Sequence, residues 1–192
     1  ELHELRAFMN QYFQTVFEPV RRRQGIVSDV VGDAVLAIWA APALTQAMKQ
    51  QVCEAALDIL QSVARFNLDH PDTPLPTRIG LHGGPMLLGN VGGMDHYEYR
   101  AIGDIVNTAT RIEGVNKQLG TRILGSRQVL ENVDGFLTRN LGRFQLVGKS
   151  RPIIIYELMC REHEANALHH DAVHLFAEGL QAFHQRQWDQ AI

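Results

Sequence analysis

Two apolar, partly β-branched runs parted by a single Gly-Asp pair constrain this chain more than any other feature. Ile26-Val27 and Ala34-Val35-Leu36-Ala37-Ile38-Trp39 stand on either side of Gly32-Asp33. Such short apolar runs read as buried strands, and the glycine-led pair as the turn between them. Helical periodicity flanks this hairpin on both sides. Leu5, Phe8, Met9, Tyr12, Phe13, Val16 and Phe17 recur at three- and four-residue steps, which predicts a helix over residues 2–22. Met48, Val52, Ala55, Ala56, Ile59, Leu60 and Val63 predict a second helix over residues 45–68, and Pro71, Pro74 and Pro76 then punctuate a loop.

Further along, Ile79–His82 and Met86–Leu88 read as a second hairpin turning at Gly83-Gly84-Pro85. A short strand is expected over 97–101, a helix over 105–116 and a strand over 121–124. Ser126 is placed to cap a short helix ending near Asn132, and residues 136–147 and 152–159 read as a final pair of strands. Alternating helices and strands over residues 1–160 imply an α+β or α/β sandwich, with helices covering a mainly antiparallel sheet. Residues 161–192 change character, becoming polar, helical and rich in His, Gln and Ala.

Composition narrows the function. The chain has 192 residues, 45% hydrophobic and 20% charged, which is ordinary for a globular protein with one sizeable core. A formal net charge of −3 gives no whole-chain basic field, so nucleic acid is not an expected partner. Cys53 and Cys160 stand far apart with no C-x-x-C, which fits a reducing compartment and suggests no zinc site. The longest apolar run, Ala34–Leu44, is too short to span a bilayer and contains Pro42. No membrane contact is expected from these residues. The chain opens on Glu1 without a signal-like segment and closes in an apparent helix. It reads as a cytoplasmic piece of a longer protein, with any membrane anchor, sensor or regulatory domain elsewhere in the parent.

Three local patterns bear on chemistry. Asn107 and Arg111 are four apart, so on a helix an amide and a guanidinium share one face and could hold a sugar oxygen and a phosphate. Asp33, at a turn between apolar strands, could offer a carboxylate to a hard cation such as Mg²⁺, or could be there for turn geometry alone. Arg21, Arg22 and Arg23 could form an anion site, but cations in a last helical turn also complement the helix dipole, and this second reading is favoured. His82 ends a strand and is read as structural, and His169, His170 and His174 are not read as metal ligands.

Taken in order, the patterns V-x-D-x-V-G-D-A-V-x-A-x-W from Val27, R-I-G-L-H-x-G from Arg78, G-N-V-G from Gly89 and Y-x-x-I-G-D-x-V-N-x-A-x-R-x-E from Tyr99 resemble the catalytic domain of class III nucleotidyl cyclases. These are the adenylate and guanylate cyclases, and the bacterial members are the nearer likeness. The resemblance covers roughly residues 1–160, and Gly148-Lys149-Ser150-Arg151-Pro152 before Ile-Tyr-Glu-Leu fits the last strands. It implies a ferredoxin-like α/β sandwich and conversion of ATP, or GTP, to a 3′,5′-cyclic nucleotide. By the same resemblance, Asp33 matches one of two metal-binding aspartates for a pair of Mg²⁺ or Mn²⁺ ions. Asn107 matches the residue that orients the ribose, and Arg111 the one that steadies the transition-state phosphate. It also implies a homodimer with active sites shared between two chains.

Three departures from the family pattern stand out. The family's other metal aspartate lies on a strand before the first long helix; this sequence opens at that helix, and the strand and its aspartate are missing from it. The base-reading positions, Lys with Asp or Thr in adenylate cyclases and commonly Glu with Cys in guanylate cyclases, hold Asp29 and Arg100. Asp29 could accept from guanine while Arg100 donates to its O6, the pair could read adenine with edges exchanged, or the two could pair with each other and read the purine poorly. Finally, Val147 stands where the family often has a phosphate-binding lysine, leaving Lys149 as its substitute.

The tail from Ala172, with Trp188-Asp189-x-Ala191, resembles the start of a tetratricopeptide-type helical hairpin, which would need further repeats or the cyclase core to cover its face. The leading expectation is an adenylate cyclase. A guanylate cyclase, or a catalytically silent homologue serving as a regulatory dimerisation module, stands as the alternative.

Overall fold

A computed structural model describes residues 2–93 and 96–191, with side chains for all of these except residues 91, 92, 96–99, 190 and 191. Its contacts group the chain into two compact units, Glu1–Thr77 with Pro85–Gly103, and Arg78–Gly84 with Asp104–Ile192.

The first unit holds helices α1 (Leu2–Arg22) and α2 (Gln46–Asp69) and two antiparallel hairpins, β1 (Ile26–Val31) with β2 (Ala34–Ile38) and β4 (Leu87–Gly93) with β5 (His96–Ile102). The helical periods do what the sequence predicts. Tyr12, Val16 and Val20 from α1, and Cys53, Ala56, Val63 and Phe66 from α2, are all buried. Phe66 meets Phe8 and Tyr12 at ring distances of 5.2 and 5.8 Å. Thr45 caps α2, its side chain accepting from Met48 N–H at 3.2 Å. Two of the triplet's three arginines pair with carboxylates on the helices. Arg23 pairs with Glu54 and Asp58 of α2 at 3.1 and 3.0 Å, and Arg22 pairs with Glu18 at 3.3 Å.

The second unit is a four-stranded sheet in the order β3 (Ile79–Leu81), β6 (Ile123–Ser126), β8 (Ile153–Arg161), β7 (Phe136–Phe144). Only the β3–β6 pair is parallel. Helix α3 (Asp104–Leu119) lies against β3 and β6, and Ile112, Leu124, Leu141, Leu146 and Ile155 form the core. The short helix α4 (Arg127–Leu130) follows β6, as expected, but the Ser126 side chain makes no cap bond and turns instead to His82.

The hairpin expected across Gly83-Gly84-Pro85 does not form. β3 pairs with β6 and β4 pairs with β5, so the two runs belong to different units. A Gly-Gly-Pro stretch interrupts pairing as readily as it turns it, and Pro85 has no N–H to give a ladder. The mixed α+β class and the antiparallel majority hold, although the described strands fall into three separate sheets.

After a 3-10 turn at Glu162–Glu164, helix α5 (Ala167–His184) packs on β7 and is followed by the short α6 (Trp188–Ala191). Leu180 sits over Gly142, and the Arg139 guanidinium lies 4.9 Å from the Phe176 ring centroid. None of the described helices is long and apolar enough to cross a membrane.

Candidate active site

Helix α3 is the element that aims the site in the second unit. Thr108, Ile112 and Asn116, at four-residue spacing, are fully buried and fix its rotation. The Asn116 amide donates to the Ile79 carbonyl at 3.0 Å and accepts from the Thr121 hydroxyl at 2.9 Å, tying α3 to the sheet. At Gly80 the helix backbone comes so close that an added Cβ would stand 2.5 Å from Glu113 N and 2.9 Å from its Cα. With α3 so seated, Asn107 is exposed and Arg111, one turn on, is half-buried.

Arg111 rests against the loop between β7 and β8. Gly148 there has φ +69°, in the left-handed region, and an added Cβ would lie 3.1 Å from Arg111 Nη2. Both facts call for glycine at this point. Val147 faces solvent, while the next residue but one turns in: the Lys149 side chain is only 16% exposed and its ammonium pairs with the Asp104 carboxylate at the start of α3. Lys149 N–H donates to the Leu146 carbonyl at 3.0 Å, closing the turn that carries it. The hydrogen bond from Lys149 holds Asp104 below the usual carboxylate range, and the charges of Lys149, Arg111 and His82 add to this. The His82 ring shares a 2.9 Å hydrogen bond through Nδ1 with the fully buried Ser126 hydroxyl. Burial, assisted by the Lys149 charge, pushes the imidazole below its ordinary value, so it is neutral near pH 7 and serves the structure.

The first unit carries the other expected residues. Asp33 is exposed on the β1–β2 turn, next to Gly32 at φ +63°. Asp29 sits where the β1–β2 register slips by one residue, a bulge that frees its side chain from regular alternation. Asp29 Oδ1 accepts from Val30 N–H at 2.9 Å, and Oδ2 meets Arg100 Nη2 at 3.3 Å. Of the three arrangements open to Asp29 and Arg100, the structure holds the one in which they pair with each other. Tyr99, quoted in the motif, has its backbone in β5, and its side chain lies outside the described residues.

The donor chemistry around Asp33 suits part of a divalent-cation site. Among the described residues no three His, Cys, Asp or Glu side chains gather to hold a metal by themselves. A single exposed carboxylate nonetheless fits a Mg²⁺ ion, which commonly takes one or two carboxylates and completes its shell with substrate phosphates and water.

Asp104 is the residue that sequence reasoning passed over. It stood inside the quoted I-G-D pattern and in the first helical turn, where an acid is expected for dipole reasons alone. Its partner is 45 residues away, and no local signal announces such a pairing.

Known proteins are similar to this chain in sequence and fold. The family model described as the adenylate and guanylate cyclase catalytic domain matches residues 2–160. Adenylate cyclase 1 of Rhizobium meliloti (strain 1021) is 34% identical over 160 residues, covering 81% of this chain and 24% of that protein. An adenylate cyclase of Anabaena cylindrica is 30% identical over 166 residues, covering 81% of this chain and 32% of that protein. The chain thus spans about a quarter to a third of these relatives' length. The crystal structure of the guanylyl cyclase Cya2 superposes with a TM-score of 0.72 at 22% identity, covering 86% of this chain and 85% of that one, a likeness of fold.

Proposed function

This chain belongs to the adenylate and guanylate cyclase catalytic-domain family, and from that premise we propose that it converts ATP to 3′,5′-cyclic AMP and pyrophosphate. The observation that carries the reading is the Arg111–Lys149 pair of cations around Gly148, one helical turn from Asn107. Two cations beside a glycine-lined backbone suit a polyphosphate, and an amide one turn earlier suits a ribose hydroxyl. The ribose 3′-oxygen attacks the α-phosphorus, the new O3′–P bond forms as the bond to the β-phosphate oxygen breaks, pyrophosphate leaves, and the hydroxyl proton is released to solvent. Asn107 orients the ribose so that attack and departure are in line. The Arg111 guanidinium meets negative charge as it grows on the transferring group, and Lys149 holds the departing phosphates. Cyclases of this family use divalent metals. Asp33 would hold Mg²⁺ or Mn²⁺, which would supply Lewis-acid stabilisation of the negative charge on the reacting phosphates. The working unit is a homodimer in which one chain's Asp33 acts with its partner's Asn107 and Arg111. Residues 161–192 open a tetratricopeptide-type repeat, a reading supported by the α5–α6 helical pair.

The Asp29–Arg100 pair favours a second reading for the base. A guanidinium held by a carboxylate has fewer donors left for a purine edge, so discrimination between ATP and GTP is weak, with guanine gaining whenever the pair opens toward O6 and N1. The double change Asp29→Lys with Arg100→Thr is expected to raise the ATP-to-GTP ratio of kcat/KM by about tenfold or more, the worth of one charged hydrogen bond. Steady-state assays with both nucleotides under Mn²⁺ check this. An unchanged ratio would show that these two residues do not read the base.

A further inference from the structure

We propose that Asp104 is a positioning residue, which holds the Lys149 ammonium where it can meet the same anion as Arg111. The inference rests on the reading of Arg111 and Lys149 as a polyphosphate site and adds the group that assembles it.

The argument begins with what surrounds the ammonium. Lys149 ends a tight turn whose backbone is tied to Leu146 and, through its own carbonyl, to the Gln145 amide. Its stem is mostly buried, so few rotamers remain, and its head emerges at the first turn of α3. Besides Lys149, the ionisable groups that act on Asp104 among the described residues are Arg111 and His82. The Arg111 guanidinium lies alongside Gly148, the unpaired N–H groups of the α3 terminus carry partial positive charge, and His82 is neutral and would repel if protonated. Within the few positions its confined stem leaves it, these fields push the ammonium head away from Arg111. Asp104 supplies the opposing force. Its carboxylate faces Lys149 directly and feels both Arg111 and His82.

The two members of the pair differ in exposure, and this identifies which one is fixed for use. The Asp104 side chain is 75% exposed and the Lys149 side chain 16%. A carboxylate standing in solvent reaches in to hold a lysine that is already confined. It balances one of two adjacent cations, so that Arg111 and Lys149 can stand together before an anion arrives. The Arg111 guanidinium lies beside Gly148 and its charge, too, acts on Asp104.

A carboxylate beside a phosphate site also repels phosphate, and that opposing effect makes the test sharp. Inorganic tripolyphosphate is titrated by calorimetry into the full chain, the Asp104→Asn, Asp104→Glu and Lys149→Met variants, and the double Asp104→Asn/Lys149→Met variant. Thermal melting confirms that each is folded. Asp104→Asn is expected to weaken binding about two- to fivefold, and Asp104→Glu to restore most of it. In the Lys149→Met background, where there is no lysine to place, the same Asp104→Asn change should instead strengthen binding, because only repulsion is removed. A purely structural role would not reverse sign in this way. Equal or tighter binding by Asp104→Asn in the Lys149-containing protein would overturn the inference and make Asp104 a competitor of the anion. If Lys149→Met bound tripolyphosphate more weakly than the parent chain while Asp104→Asn matched the parent, the inference alone would fail. If the parent chain bound none, the polyphosphate site and the inference would fall together.

Discussion

Replacing Arg111 with alanine is expected to cut kcat about 10²–10³-fold while changing nucleotide affinity little. The guanidinium is held by a seated helix on one side and by Gly148 on the other, so it does not need to move when charge develops on the transferring phosphorus. An interaction that strengthens from ground state to transition state appears in kcat rather than in KM. Steady-state kinetics with Mn²⁺ and ATP separate the two. A higher KM with unchanged kcat would mean that Arg111 binds only the ground state.

The second large effect is one of stability. In Gly80→Ala the new methyl would overlap the α3 backbone at Ala109 and Glu113, and backbone cannot rotate aside as a side chain does. Overpacking of this kind costs about 3 kcal/mol. For a chain of this size that lowers Tm by roughly 6–12 °C. Calorimetric melting of the variant measures it. A Tm within a degree of the parent would show that α3 is not seated on β3 as described. The functional consequence follows from the same contact, since α3 carries Asn107 and Arg111, and about 1 Å of misplacement can cost 10²-fold in rate.

Periodicity made the local elements legible. The two long helices, the Gly32-Asp33 hairpin and the helix bearing Asn107 and Arg111 are all encoded within a few residues of themselves, so spacing and turn chemistry suffice. The misread hairpin at 78–90 shows where local information ends. β3 takes its partner from Ile123–Ser126, more than forty residues on, by a parallel pairing that needs α3 as its crossover. Nothing within Ile79–Leu81 distinguishes that partner from the nearer apolar run. Ser126 fails as a cap for a similar reason, because His82, 44 residues away, competes for its hydroxyl. Single residues of the candidate site could be nominated by motif, and the opposite charges of Asp29 and Arg100 made their pairing foreseeable. The dependence of Lys149 on Asp104 could not be foreseen, since it arises from the burial of one side chain and the exposure of the other.

The central claim is that this chain's family membership carries the cyclising chemistry. The most direct test incubates the protein, with any residues that precede Glu1 in the natural chain retained, with ATP and Mn²⁺ and follows products by chromatography and mass. The expected result is 3′,5′-cyclic AMP and pyrophosphate in equal amounts, with loss of both products in Arg111→Ala. Absence of any cyclic nucleotide from ATP and from GTP, in protein that still binds tripolyphosphate, would contradict it and leave a nucleotide-binding homologue without catalysis.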